Sequence, residues 1–494
     1  MKITKKDIII FITIFILSLI IFYGFITRHY ASDTYNIMNR GYEEYAIKYS
    51  LNDGRPVMCL ISLLANKINL NIEVYIVALT ILAIITSCIC VMLLRGTANK
   101  YKKPKNIFQE IFLILICYFT IFNFMYLDNL QFAECFVMAL SILFYILASK
   151  ILVEKEKKGL IKSCILVVLG ILCYQGTLSI FVTTTFLFTV IKHNENKELR
   201  KIILKNIVIA GFFSIIAVLF NLVQIRISGY ILDMYQGRMG GFKYIFRNIK
   251  YIMAETDLIM VNTSNLFPKW LFLAFLTGIL IIIYIYNKKI KEINYDIPLG
   301  IVIIAFLATI APAVMTLASF GAGRLMFSIG ALIGLILMYA YVKTSIFESE
   351  KIISKLCIGV ALVYFITVAV NSMNIIRQAR KVEKLNEKEC EYITSLMNGY
   401  ENETGIELKY IAVYKDLNQT SFYKEIQTVS SITIRPLATE WADDGSINYY
   451  SGKKLKEIDV MESVYMQFFA GKDWDSLDKE QFIFIDNTLH YCRY

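Results

Sequence analysis

The sequence predicts a mainly α-helical protein that crosses a membrane many times and carries a small α/β domain at its C-terminal end. Three observations predict this class. Of 494 residues, 57% are hydrophobic and the mean hydropathy is +0.55, beyond the range of ordinary soluble domains. The apolar residues gather into segments, the longest able to cross a hydrocarbon layer about 30 Å thick. The loops between those segments alternate between Lys/Arg-rich and Lys/Arg-poorer.

The first apolar segment, 8–26, follows the basic start Met1-Lys2-Ile3-Thr4-Lys5-Lys6. A signal peptide opens the same way, but no small-residue cleavage site follows and many similar segments come later, so a retained span is expected. Further spans are expected at 72–94, 108–127, 133–152, 161–174, 177–191, 206–226, 269–287, 297–314, 325–342 and 354–375, about eleven in all. The pair across 161–191 is interrupted by Tyr174-Gln175-Gly176, and each member is short for a full crossing. Broken backbone at membrane depth requires protein or a wet cavity around it. Residues 56–68 are apolar but too short to span, and suit a re-entrant or interfacial helix.

Orientation follows from the short loops. Arg95 with Lys100, Lys102, Lys103 and Lys105, then Lys155, Lys157, Lys158 and Lys162, then the clusters 192–205, 288–291 and 343–355, all fall on the side of the N-terminus. That side is expected to be cytoplasmic. An odd number of spans then places the C-terminus outside, dividing the chain into a transmembrane unit, 1–376, and an extracytoplasmic domain, 377–494. The latter holds 15 Lys/Arg against 20 Asp/Glu, so the net charge of +11 belongs to the membrane part and works as a topology signal. No basic stripe or module of a nucleic-acid binder is present. Within the outer domain, strands are expected at 411–414, 429–434 and 482–485, and helices at 377–398 and 458–469.

Eight of the ten cysteines lie in or beside predicted spans, where cysteine acts as a small hydrophobe. Cys390 and Cys492 belong to the outer domain, whose compartment permits a disulfide between them. There is no P-loop, no dinucleotide fingerprint and no Cys/His cluster, and the three histidines are scattered.

The chemistry-bearing residues sit in the outer loops. The first loop runs from Arg28-His29-Tyr30-Ala31-Ser32-Asp33 through Glu43-Glu44 to Asn52-Asp53-Gly54-Arg55-Pro56. A carboxylate just beyond the end of a span is placed to take a hydroxyl proton, and Asp33 is the first candidate. The same residue could instead cap a following helix. Asp53 lies in a turn-forming Asn-Asp-Gly sequence; paired with Arg55 it could position a substrate hydroxyl or brace the helix that follows. Asp128 and Glu134, in the short second loop, are acids near membrane depth, where charge requires a partner or water. Tyr174-Gln175-Gly176-Thr177 is the third outward interruption. There Gln175 could bind a sugar, or the stretch could be a bend satisfied by Thr177 and backbone. The long fourth loop includes Asp233 to Arg238 and an amphipathic stretch, 242–256, suited to the membrane interface or to packing on the outer domain. Arg324 follows Gly321 and Gly323 immediately before a span and could hold phosphate or snorkel to the interface.

Ser32-Asp33-Thr34-Tyr35, Asp53-Gly54-Arg55-Pro56, Glu134, Tyr174-Gln175-Gly176 and Gly323-Arg324, in that order and across residues 1–376, resemble the bacterial GtrII-like glucosyltransferases. The resemblance implies a GT-C-type enzyme of the cytoplasmic membrane. Its donor would be a polyprenyl-phosphate sugar such as undecaprenyl-phosphate glucose, and its acceptor a surface glycan. It implies Asp33 as catalytic base with Asp53 in support, and Arg55, Asp128, Glu134, Tyr174, Gln175 and Arg324 as substrate-binding residues. A divalent cation is compatible with the acids of the loops, but no ligand set follows, and oligomeric state is not encoded. Two other readings share the topology: a polysaccharide polymerase or ligase using a lipid-diphosphate-linked glycan, and a lipid-linked-glycan transporter.

Overall fold

A computed structural model describes residues 4–27, 29–193, 197–232, 245–254, 260–290, 296–313, 322–343 and 351–494. A helix lies in each of the eleven expected apolar segments, covering 8–26, 108–127 and 325–342 only in part: α1 Lys5–Ile21, α4 Ile72–Tyr101, α5 Ile107–Ile121, α6 Cys135–Lys155, α7 Leu160–Cys173, α8 Ser179–His193, α9 Leu199–Leu232, α10 Leu271–Ile290, α11 Asp296–Ala313, α12 Leu332–Lys343 and α13 Lys351–Thr404. Among the described residues, five stretches are long and apolar enough to cross a membrane: 72–101, 135–155, 175–193, 199–232 and 352–404. Two helices of the first loop, α2 Ser32–Glu44 and α3 Pro56–Lys67, complete the unit, α3 being the short helix expected over 56–68.

The bundle is built from the inside out. α12 is apolar all round and buried along nearly its whole length, packed against α5 and α8, as a helix at the centre of a bundle must be. α9 and α13 instead leave large aliphatic and aromatic side chains exposed, among them Phe212, Leu219, Val363 and Ile366, on surface that suits lipid.

The two ends of the bundle differ in chemistry. At one end Arg95 bonds Asp7 at 2.8 Å and Glu110 at 2.5 Å, Lys6 bonds Glu110 at 2.8 Å, and Lys100 lies 3.3 Å from Glu154. These contacts tie the start of α1, the end of α4, the start of α5 and the end of α6 together, so the first two Lys/Arg-rich loops share an end with the N-terminus. Residues 33, 128 and 134 lie beyond the opposite ends of α1, α5 and α6, and Arg55, Tyr174 and Arg324 meet them there.

α13 runs without a break from the expected span at 354–375 through the expected helix at 377–398. Its distal part carries Cys390, Ile393 and Met397 into the core of the C-terminal domain, against Ile411, Leu437, Ile447 and Leu489. The sheet there has four strands, β1 Tyr410–Lys415, β2 Lys456–Glu457, β3 Phe482–Ile485 and β4 Thr488–Arg493, in the order β2-β1-β4-β3. β1 is parallel to β2 and β4, and β3 is antiparallel to β4. One further helix, α14 Asp443–Ser451, packs on both α2 and α13. Cys390 and Cys492 are both buried free thiols.

One expectation in this domain holds in part and one fails. Of residues 458–469, the stretch 462–469 is helical, a short α-helix, Glu462–Val464, running into a π-helix, Tyr465–Phe469. Residues 429–434 form turns and not a strand: Thr433 Oγ1 accepts from the Val429 N–H at 2.8 Å and donates to the Gln427 carbonyl at 3.0 Å, taking backbone groups that a strand would need. The apolar members of that run have a different use. Val429, Ile432 and Ala442 join the core of the membrane unit, so this loop docks the outer domain onto the bundle.

Candidate active site

The site begins with α2. Its N-cap position is Ala31, with no side-chain cap, so Asp33 is not the helix cap that its sequence also allowed. Asp33 lies in the first turn, half-buried, where the aligned peptide dipoles favour a negative charge. Its Oδ1 accepts a 2.9 Å hydrogen bond from Trp441 Nε1 of the outer domain. α2 is held rigidly: Tyr35 and Tyr450 both donate to Glu383 Oε1, at 3.2 and 2.8 Å, and Asn39 Nδ2 donates to Asp444 Oδ2 at 2.5 Å.

Arg55 forms the second part. Its guanidinium pairs with Glu134, lies 3.7 Å from Asp53 and stacks 5.3 Å over the Tyr174 ring. Glu134 also accepts from Tyr45 OH at 2.9 Å. Burial works against the Arg55 charge, but Glu134 and Asp53 outweigh it and raise its pKa. The turn before it is fixed by Gly54, at φ +78°, whose carbonyl accepts from Gln175 Nε2 at 2.9 Å and from Asn221 Nδ2 at 2.7 Å. Gln175 also donates to the Asp53 carbonyl at 2.9 Å. Its amide therefore serves the turn that presents Arg55.

Arg324 forms the third part. Asp128, fully buried, accepts from the Arg324 backbone N–H at 2.9 Å, while the Arg324 guanidinium stands 3.9 Å from it and lies 4.8 Å over the Phe132 ring. The other Asp128 oxygen accepts from Gln131 at 2.6 Å and from Ser431 of the docking loop at 3.1 Å. Burial again disfavours the charge on Arg324, and Asp128 and Asp33 are both close enough to help raise its pKa. Ala31, Phe132, Met138 and Tyr174 form one apolar cluster beneath these groups, linking the start of α2 to the faces under both arginines.

The structure thus brings Asp33, Asp53, Arg55, Asp128, Glu134, Tyr174, Gln175 and Arg324 to one end of the bundle. Asp128 and Glu134, six residues apart on either side of a turn, face different arginines. Sequence reasoning missed Tyr45, Asn221, Ser431 and Trp441, because only the fold carries them to the site. It also passed over Asn129, buried beside Asp128 with neither amide atom paired. Residues 233–238 and 319–321 lie outside the described residues; of the stretch 242–256, residues 245–254 are helical, with Phe246 exposed. Among the described residues no three His, Cys, Asp or Glu side chains gather as a metal site.

A multi-helix membrane bundle with carboxylates and guanidinium groups collected at one boundary defines a polytopic membrane protein with a charged site at the interface. The chain matches the family model described as Glucosyl transferase GtrII over residues 22–341 and belongs to that family; it is a membrane glycosyltransferase. The matched region contains every expected site residue, whereas Ser431 and Trp441 lie beyond it. A search of curated proteins finds no match.

Proposed function

We propose that the enzyme moves glucose from undecaprenyl phosphate to a cell-surface polysaccharide, with inversion, on the outer face of the bacterial cytoplasmic membrane. In this reading the chain has eleven spans in a GT-C-type membrane unit, residues 1–376, and an extracytoplasmic domain, 377–494. Asp33 takes the proton from an acceptor hydroxyl as that oxygen attacks the anomeric carbon. The bond from that carbon to the lipid phosphate breaks, its electron pair leaves with the phosphate, and Arg324 stabilises the charge that develops there. Such help grows along the reaction coordinate, so it lowers the barrier where uniform binding would not. A phosphate needs no proton to leave at neutral pH, so the paired acids of glycoside hydrolysis are unnecessary.

The observation that supports this reading is one shared apolar cluster: it holds Ala31, two residues before Asp33, and Phe132, the ring over which the Arg324 guanidinium lies at 4.8 Å. The two arginines divide the work. Arg55 is committed to Glu134, with Asp53 beside it, and braces the site, whereas the ion pair of Arg324 with Asp128 is long at 3.9 Å, leaving it the better phosphate ligand. One available guanidinium suits a monophosphate donor better than the diphosphate of a polymerase or ligase. Family membership is that of an enzyme, which sets the transporter aside.

The test is sugar transfer in membranes supplied with defined polyprenyl-phosphate sugars. Asp33→Asn is expected to lower kcat by about 10²–10⁴-fold, the usual contribution of a positioned base, and Arg324→Ala by at least tenfold. Full activity in Asp33→Asn, or no transfer by the wild type from any such donor, overturns the mechanism.

A further inference from the structure

Two cavities, together a cleft, are lined by residues close in sequence to Trp441. One cavity, of about 830 Å³, lies between α2 and α14 and is lined by Asn39, Arg40, Asn448 and Tyr449 among others. A second, of about 540 Å³, opens at the carboxyl ends of β1 and β4, beside Tyr414 and Arg493. Glu457 lines both, so the two adjoin. Each lies within the roughly 300–1,000 Å³ usual for ligand pockets. The second lies where ligands of parallel sheets commonly bind, outside the carboxyl ends of the strands.

The walls combine the amides of Asn39 and Asn448 and charges of both signs with the rings of Tyr414, Tyr449 and Tyr465 and the apolar Val413 and Met461, a mixture that suits a saccharide's hydroxyls and its apolar C–H faces. Arg493, 3% exposed, lines the second cavity with its guanidinium paired to Asp443 at 2.9 Å. Between the cleft and the base stands Trp441. Its neighbours in sequence, Glu440 and Asp443, line the second cavity, and Asp444 lines the first. The indole bonds Asp33, yet 45% of the residue remains exposed, offering a flat face beside the reacting carboxylate.

Resting on the glycosyl-transfer reading above, we infer that the outer domain holds the acceptor: an oligosaccharide chain lies along this cleft, and its terminal sugar stacks on Trp441 with one hydroxyl directed at Asp33. The donor lipid enters from the bilayer side, so the two substrates approach the site from opposite directions. The domain then fixes which chain is extended, while the membrane unit performs the displacement.

The experiment separates binding from transfer. Purified full-length protein is titrated, without donor, with neutral oligosaccharides of one to six residues, and the same set is used as acceptors in the transfer assay. For the wild type, affinity is expected to rise at least tenfold between one residue and four. Val460→Trp, placed at a half-exposed position in the second cavity, is expected to remove that gain while leaving the donor KM unchanged. Trp441→Ala is expected to raise the acceptor KM at least tenfold, and Trp441→Phe, which keeps a flat face but loses the N–H, to raise it less than threefold. No dependence on chain length, or wild-type acceptor binding in both Val460→Trp and Trp441→Ala, overturns the inference. Length-dependent binding without transfer from any polyprenyl-phosphate sugar keeps the cleft and removes the donor assignment instead.

Discussion

Asp33 is a candidate base that is not the cap of α2: Ala31 holds the cap position, and the carboxylate meets the indole donor of Trp441. Its near neighbour His29 is the contrasting case. It is 5% exposed, packed 4.6 Å from Phe25, and neither ring nitrogen has a partner. Burial, with Arg380 nearby, lowers its pKa from 6.5 to about 4. Between those values the unfolded chain binds more protons than the folded one, so this residue's contribution to stability is complete above pH 6.5 and is lost as pH falls towards 4, by up to about 3 kcal/mol. Thermal unfolding in detergent is therefore expected to show a midpoint that drops between pH 7 and pH 4.5, and His29→Phe, which keeps the aromatic contact, to flatten that drop; an unchanged acid slope refutes it. Asp33 was legible in the sequence because an acid next to a span is conspicuous. Trp441 was not, since no local pattern links residues 441 and 33.

At the scale of elements, the turn Asn52-Asp53-Gly54-Arg55 is what delivers Arg55 to Glu134. A Cβ on Gly54 would lie 2.7 Å from Asn221 Nδ2 and 2.8 Å from Gln175 Nε2, the two amides that hold its carbonyl, and φ +78° is strained for any side chain. Gly54→Ala is expected to reduce kcat at least tenfold, and Asn221→Ala combined with it to lose less than the two single changes together, because part of the clash has gone; strict additivity in the transfer assay counts against a shared contact. Glu134→Gln leaves Arg55 without its main counter-charge in a buried place. It is expected to destabilise the protein by about 3–5 kcal/mol, read as a lower unfolding midpoint. Helices were the legible elements, because apolar runs admit no other form in lipid. The segment 429–434 was misread as a strand because β-branched residues suit both a sheet and a docking plug. Only the position of the bundle decides that Val429 and Ile432 face it.

For the whole molecule, the continuous α13, the docking loop and the packing of α14 on α2 fix the C-terminal domain to the bundle, so that site residues from 33 to 441 behave as one assembly. At 54 residues α13 measures about 80 Å, far more than a bilayer's thickness, and projects its distal half into the core of the outer domain. The sequence disclosed the two ends of the bundle through its Lys/Arg loops, and Arg95, Lys6 and Lys100 do meet their partners at one end. Which end faces the cytoplasm follows from the bias of those loops alone. A labelling experiment decides it. Asp475 is a strongly exposed side chain of the outer domain, and Lys157 an exposed residue of a basic loop, whereas nine of the ten native cysteines are buried. A membrane-impermeant maleimide is expected to label Asp475→Cys in intact cells, and to label Lys157→Cys only once the membrane is opened. The reverse pattern would put Asp33 and Arg324 on the cytoplasmic face. The acceptor would then have to be a glycan still under assembly inside the cell, and the proposed external transfer would fail even if both residues proved essential.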